Sequence, residues 1–395
     1  MKSSKRNLSR NRRTRWALAG LLWALLVFRT HAGAAAFTNV PWSDSAFFPL
    51  GVWLQDPTNA AAYRQAGFNT FVGLWRGPTE EQLSELKSAG MYVVCEQNSV
   101  ARRHLDDTSI IAWMQDDEPD NSRSRGARFG FGSPVPPQEV VAEYQRIKTV
   151  DPSRPVLLNL GQGVAWDGWY GRGNRKNHPE DYPKYLQGCD IASFDIYPVV
   201  HKSREVAGKL WFVAEGVERL VRWGGTNQMV WNCLECTHVD NPGRKPTPRQ
   251  VRAEAWMSTI HGSRGLIYFA HQFKPEFREA ALLEDPDMLA AVTALNREIT
   301  SLAPVINSPS VPDVATVQSK NPAVPVAFMI RNHQGAVYLF AVAMRDGETM
   351  ATFKIAGVED GKTVEVIGEN RNLTATNGLF SDHFRSWDVH LYRMK

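Results

Sequence analysis

Residues 109–120 read SIIAWMQDDEPD. An apolar run, Ile110 to Met114, leads straight into Asp116, Asp117, Glu118 and Asp120 around Pro119. A short continuous apolar run reads as a strand buried on both faces, the kind a parallel sheet uses. Such a strand ends in four acids only where its tip has a use for carboxylates. Whether the tip belongs to an active site depends on the fold, and the fold depends on whether the chain repeats the unit of strand, polar loop and helix.

The unit recurs eight times. The strands are FPLGVWLQ (48–55), FNTFVGLW (68–75), MYVVCEQ (91–97), SIIAWMQ (109–115), PVLLNLG (155–161), DIASFDIYP (190–198), QMVWNCLE (228–235) and GLIYFAHQ (265–272). Amphipathic stretches follow most of them: AAAYRQAG (60–67), PTEEQLSELKSAG (78–90), PQEVVAEYQRIKTVD (137–151), EVAGKLWFVAEGVERLVRWG (205–224), TPRQVRAEAWMSTIHG (247–262) and DPDMLAAVTALNREITSLAP (285–304). Thr79 with Gln82 forms a capping box, Gly90 closes that helix, and Thr247 caps a helix with Pro248 at its first position. Eight such units over about 270 residues predict an α/β fold, a (β/α)8 TIM barrel. A doubly wound nucleotide fold would need G-x-G-x-x-G after its first strand, and GVWLQDP has none. Strands are expected to begin near 48, 69, 91, 109, 155, 190, 228 and 265.

Beyond Pro304 the texture changes to strands joined by turns, with Gln334-Gly335 and Asp346-Gly347 at two of them. This predicts a small C-terminal all-β sandwich. The expected division is 1–34 signal peptide, 35–305 barrel and 306–395 sandwich.

The first fifteen residues carry seven Lys or Arg, Trp16 to Phe28 are uncharged, and Ala32 and Ala34 are spaced for A-x-A cleavage. That is the pattern of a secretory signal peptide, with a secreted or periplasmic product and no stable membrane insertion after cleavage. Thirteen apolar residues fall short of the roughly 20 of a spanning helix, and an uncleaved signal anchor is the alternative. Arg12-Arg13 hints at twin-arginine export, although the flanking residues fit that signal poorly. The leader holds eight of the 45 basic residues and no acid, so 37 bases face 41 acids in the remainder, a net −4. A nucleic-acid partner is excluded on that balance. Cys95, Cys189, Cys233 and Cys236 include one C-x-x-C spacing with no second pair to complete a zinc site. Buried thiols or one disulfide are the expectation, with no metal and no cofactor.

In such barrels the chemistry sits at the C-terminal strand ends. Those ends supply Trp53, Trp75, Glu96, Asp117, Glu118 and Asn159 from the first five strands, then Asp195, Tyr197, Trp231, Glu235 and His271. Carboxylates, amides and aromatics suit sugars, whose hydroxyls bind polar groups and whose C–H faces stack on Trp. Cleaving a glycosidic bond needs two carboxyl groups flanking it. Glu118 and Glu235 are the leading pair, with Glu96 and Asp195 as alternatives for the second place. The long loops 120–138 and 161–188 belong to the same face, the second bringing Trp166, Trp169 and Tyr170.

With these residues in place, the chain resembles the large clan of retaining (β/α)8 glycoside hydrolases that includes cellulases, mannanases and many β-galactosidases. The resemblance rests on Glu118-Pro119 in DDEPD, Glu235 in VWNCLECTH, Tyr197 in FDIYP, and the trailing sandwich. It implies Glu118 as acid/base, Glu235 as nucleophile, Tyr197 holding the nucleophile, and a carbohydrate substrate. Asp117 departs from the clan's Asn at that position; a carboxylate there would raise the pKa of Glu118 by like-charge repulsion. A catalytically silent carbohydrate-binding barrel and a non-glycosidase barrel enzyme acting on cell-surface polymers are the competing readings.

Overall fold

The computed structural model describes residue 37 and residues 40–122, 132–311 and 314–395. The leader, with the signal-peptide reading, lies outside the described residues. So does part of the loop after the fourth strand.

Nine strand segments form one parallel sheet: β1 (Leu50–Trp53), β2 (Thr70–Val72), β3 (Tyr92–Cys95), β4 (Ile110–Met114), β5 (Val156–Leu160), β6 (Ile191–Phe194), β7 (Met229–Val230), β8 (Asn232–Glu235) and β9 (Leu266–Phe269). Their order is β7-β6-β5-β4-β3-β2-β1-β9-β8. β7 and β8 occupy the two ends of that order, yet only Trp231 separates them in sequence. The Trp231 N–H still donates to Ala192 of β6 at 2.9 Å, and the Asn232 N–H turns to Gly265, ahead of β9, at 3.0 Å. One strand thus pairs with β6 by its first half and β9 by its second, and the sheet closes into an eight-stranded barrel. Each of the eight strands begins within two residues of its expected start.

The helices are α1 (Ala60–Gln65), α2 (Glu80–Ser88), α3 (Pro137–Val150), α4 (Tyr182–Tyr185), α5 (Trp211–Gly224), α6 (Pro248–Ile260) and α7 (Pro286–Ile306). Both expected Thr caps form capping boxes, Thr79 with Gln82 and Thr247 with Gln250. α5 starts six residues later than the sequence suggested, because Gly208 takes a positive φ of 76° and ends any helix begun before it. Between β3 and β4 there is only a short 3-10 turn at Ala101–Arg103. Arg154 replaces the missing helix as a brace. Its guanidinium donates to the carbonyls of Leu105, Asp107 and Ile110 and to the Asp151 carboxylate. That fixes where β4 begins, and so where its acidic tip ends.

The barrel interior is filled by Val72, Val94, Ile111, Leu157, Ile191, Trp231 and Ile267. The other faces of the same strands pack outward on the helices, through residues such as Val93, Trp113, Leu158 and Leu234. Burial on both faces is why these strands read as unbroken apolar runs.

The remaining strands are β10 (Ala315–Ser319), β11 (Val326–His333), β12 (Ala336–Ala343), β13 (Thr349–Ile355), β14 (Thr363–Val366), β15 (Arg371–Thr374), β16 (Leu379–Phe384) and β17 (Val389–Met394). They form two antiparallel sheets, β10-β13-β16 and β11-β12-β17-β14-β15. Gln334 and Gly335 both take positive φ, 49° and 76°, at the β11–β12 hairpin, as a two-residue primed turn requires. Along β12, Leu339, Ala341 and Ala343 face the other sheet, while Phe340 and Val342 face the barrel. The Phe340 ring meets Trp256 of α6 at 5.0 Å between centroids. All four cysteines are buried free thiols. Among the described residues no helix is long and apolar enough to cross a membrane.

Candidate active site

A cleft of about 1090 Å³ opens at the C-terminal ends of the barrel strands. At its floor stands Glu118. Its peptide N–H donates to the Asn159 carbonyl at 3.1 Å, tying the β4 tip to β5. Its φ is 44°, a left-handed conformation unusual for a side-chain-bearing residue. Backbone held there by its surroundings is a mark of functional positions. The Glu118 Oε2 accepts from Asn121 Nδ2 at 2.7 Å, and Asn121 Oδ1 accepts from Trp169 Nε1 at 2.7 Å. One amide thus links the carboxyl to an aromatic wall of the cleft.

Asp195, one residue past β6, brings its carboxyl into hydrogen-bonding contact with that of Glu118. Two carboxyls in contact need a proton between them. Burial raises Glu118 well above the usual carboxylate range, with Asp195, Asp117 and Asp120 adding like-charge repulsion. Burial also pushes Asp195 up, to about 7, although its contact with Glu118 works against the rise. Burial and like charge therefore both favour keeping a proton on the pair. Asp117 accepts from Asn159 Nδ2 at 2.9 Å, and Asn159 Oδ1 accepts from Ser193 Oγ at 2.7 Å. Asp117 is exposed to the cleft, yet the protein packed around its carboxyl pushes it up to about 6.

Asp120 faces away from the cleft, fully buried, and accepts from the Gly161 N–H at 2.8 Å and the Tyr182 hydroxyl at 2.9 Å. It anchors the 161–188 loop that carries Trp169 and Tyr170 to the cleft. The four acids of the opening stretch thus divide their work. Glu118 and Asp117 face the cleft, Asp120 holds the loop, and Asp116 is exposed outside the cleft lining.

Of the other residues expected at the site, Trp53, Trp75, Asn159, Tyr197 and His271 line the cleft. Tyr197 stands beside Asp195, its phenol kept protonated by burial. His271 is held neutral by burial, its pKa pushed down to about 4, with Gln55 Nε2 at 3.3 Å and the Phe273 ring stacked on it.

Four residues stand apart from the cleft. Glu96 is exposed outside the cleft lining, with burial and Asp116 raising its carboxyl. Trp166 backs the cleft wall, its Nε1 donating to Glu205 at 2.8 Å and His201 packed edge-on against its ring. Trp231 fills the barrel interior against Trp42. Glu235 is the main correction. Its carboxyl turns into the layer between the β6–α5 connection and α6, where it accepts from the Val199 and Val200 N–H groups. Its position after an apolar run reads the same in sequence whichever way the side chain turns.

The sequence reading missed Gln162, His201, Lys202, Asp240, Phe273, Phe277 and Glu279, all on loops beyond the strand ends. Ser203 N–H donates to His201 Nδ1 at 3.0 Å, so the Nε2–H donates to Gln162 Oε1 at 2.8 Å. Lys202 pairs with Asp240 across the cleft wall. For Phe273 and Phe277 a signal existed: two aromatics in the short polar stretch HQFKPEF. Among the described residues, the exposed large hydrophobic side chains include four aromatics, Trp75 (66%), Tyr170 (59%), Phe273 (48%) and Phe277 (62%). All four line this cleft. Clustered exposed apolar surface marks a place where something binds.

No family model matches the chain, and no curated protein matches its sequence. Solved structures do share its fold. The α-amylase of Geobacillus thermoleovorans complexed with acarbose superposes with a TM-score of 0.56 at 10% identity, over 89% of this chain and 98% of that one. A variant of AmyP in complex with maltotriose gives a TM-score of 0.56 at 10% identity, over 91% and 99%. A putative α-galactosidase of Bacteroides fragilis gives 0.54 at 8% identity, over 89% and 79%. The likeness runs through barrel and sandwich together, and the fold is that of a (β/α)8 barrel followed by a β-sandwich.

Proposed function

We propose that the protein is an exported glycoside hydrolase that acts with retention of configuration, using Glu118 and Asp195 as its two carboxyl groups. The observation that carries this reading is the close pair of carboxyls, Glu118 and Asp195, in an aromatic-rimmed cleft. Glu118, half-buried among acids, holds the proton that the leaving glycosidic oxygen needs. Asp195 ionises first and attacks the anomeric carbon as the Glu118 proton passes to the departing oxygen. Water then attacks the glycosyl–Asp195 ester, Glu118 takes the water proton, and the sugar leaves with Asp195 a carboxylate again. Two carboxyls this close leave no room for a water between them, which favours direct attack by Asp195 and so retention. Trp75, Tyr170, Phe273 and Phe277 offer stacking faces for sugar rings. Fold neighbours crystallised with acarbose and maltotriose support a saccharide substrate. The leader in residues 1–34 supports export.

The test is a panel of aryl glycosides and polysaccharides. Glu118→Gln slows natural substrates by at least the ~10²–10⁴ typical of lost acid/base catalysis. Aryl glycosides with good leaving groups suffer less in the first step, and azide restores their turnover. Asp195→Asn loses activity on both substrate types, whereas Glu235→Gln still cleaves activated aryl glycosides. Wild-type rates in both Glu118→Gln and Asp195→Asn would remove the two residues from the chemistry. Saccharide binding without cleavage by the wild type would favour the silent barrel.

A further inference from the structure

A second pair of carboxyls meets outside the cleft. Glu235, the last residue of β8, and Glu254, within α6, are each 0% exposed. The Glu235 oxygens accept from Val199 N–H at 2.6 Å and Val200 N–H at 3.0 Å. Neither oxygen of Glu254 meets a hydrogen-bond donor among the described residues, and the Glu235 carboxyl lies beside it. No Lys, Arg or His acts on either group. Two bare carboxylates in contact in a dry interior repel, and neither has a cation to offset its burial. One proton on the pair removes the conflict. The Glu254 O–H donates to Glu235, whose ionised oxygens remain strong acceptors for the two backbone amides.

Those amides open one wall of the cleft. Val200, His201, Lys202 and Ser203 all line it. Asn241 Nδ2 donates to the Val200 carbonyl at 2.7 Å, so the Val199–Ser203 wall is fixed at two peptide donors by Glu235 and at one acceptor by Asn241.

We propose that Glu235 and Glu254 share a single proton which fixes the Val199–Ser203 wall, making Glu254 a positioning residue for the saccharide site. The consequence for substrate rests on the glycosidase reading above; the shared proton does not. Burial raises both carboxyls, Glu235 to about 7. A raised folded-state pKa means that the stability held by the proton is full below the ordinary Glu range and is lost as pH rises through the folded value. The other titratable groups nearby are the Cys236 thiol and the Tyr268 phenol of β9, both kept neutral by burial, with Asp285 beyond Cys236. The β6–α5 connection brings no titrating group that acts on the pair.

The experiment uses the full chain and reads hydrogen exchange at the Val199 and Val200 amides from about pH 4 to pH 9, corrected for intrinsic base catalysis. In the wild type, protection falls by up to about tenfold per unit as pH climbs from the ordinary Glu range to the pair's raised pKa, and levels off above it. In Glu254→Gln the introduced amide donates to Glu235 without titrating, so protection stays level. Infrared spectra at neutral pH show a protonated-carboxyl band in the wild type that is reduced in Glu254→Gln. Aryl glycoside KM rises with pH in the wild type more steeply than in the variant, while kcat follows the Glu118–Asp195 pair in both. Level protection at both amides in the wild type overturns the proposal, whether or not the variant folds and whether or not any glycan is cleaved. So does an identical pH response in wild type and variant.

Discussion

Glu118 and Glu235 show what a single residue discloses in sequence and what it withholds. An acid directly after a buried run and before a proline announces a tip built for carboxylates, and the DDEPD stretch does place Glu118 on the cleft floor. What it withholds is side-chain direction. Along β8, Cys233 points into the barrel and Leu234 out of it. Glu235 then leaves that alternation to meet amides of a loop some 35 residues earlier in the chain. A clue lay elsewhere, in Glu254. A glutamate amid Ala253, Ala255 and Trp256 on the buried side of a helix needs a polar partner. Asp195 had the weaker motif and the stronger geometry. Its carboxyl also feels Asp117, which raises its pKa. Asp117→Asn removes that negative neighbour, so Asp195 ionises at lower pH. The acid limb of the kcat/KM profile is expected to move to lower pH in this variant; an unmoved limb would show that Asp195 does not govern it.

At the scale of elements, strands were easier to read than connections. Burial on both faces writes an uninterrupted apolar run, and each strand began near its expected place. Helix starts depended on single backbone positions, as at Gly208. Half of the aromatic rim, Phe273 and Phe277, escaped because loops carry no period, whereas Trp75 and Tyr170 came from two other connections and were expected at the cleft. Packing between elements leaves a sharper mark. Gly216 of α5 lies against the Phe194 ring of β6, so close that an added Cβ would fall 2.1 Å from the ring. Gly216→Ala forces the helix off the strand that leads to Asp195. Overpacking of this kind costs about 1–3 kcal/mol. A thermal melt should show the loss, with activity falling further than stability alone accounts for. An unchanged melting temperature would mean that helix and ring accommodate the methyl group freely.

Across the whole molecule, the five-stranded sheet is buried on both faces, one against its partner sheet and the other against α6 and α7. Polar ties reinforce the second face. Arg252 donates to the Val389 carbonyl at 2.9 Å and to Glu298 at 3.0 Å, and Trp256 Nε1 also reaches Glu298. Barrel and sandwich are therefore expected to unfold in one transition. Phe340→Ala, which opens a hole beside Trp256, should destabilise that single transition by about 3–5 kcal/mol. Two separated transitions in calorimetry, with only the second moved, would show that the two parts melt independently.

β17 bears on how such a molecule is made. It follows every other strand in the chain, yet it lies inside the sheet, between β12 and β14. Leu391 completes the layer against the barrel, and Tyr392 completes the layer between the sheets. During synthesis neither layer can close before residue 392 has emerged. Until then β12 presents Phe340 and Val342 on one side and Leu339 and Ala341 on the other, with an open edge between them. From the emergence of β12 at residue 343 until residue 392 follows, the nascent chain thus carries a sticky, half-built sheet open to wrong partners.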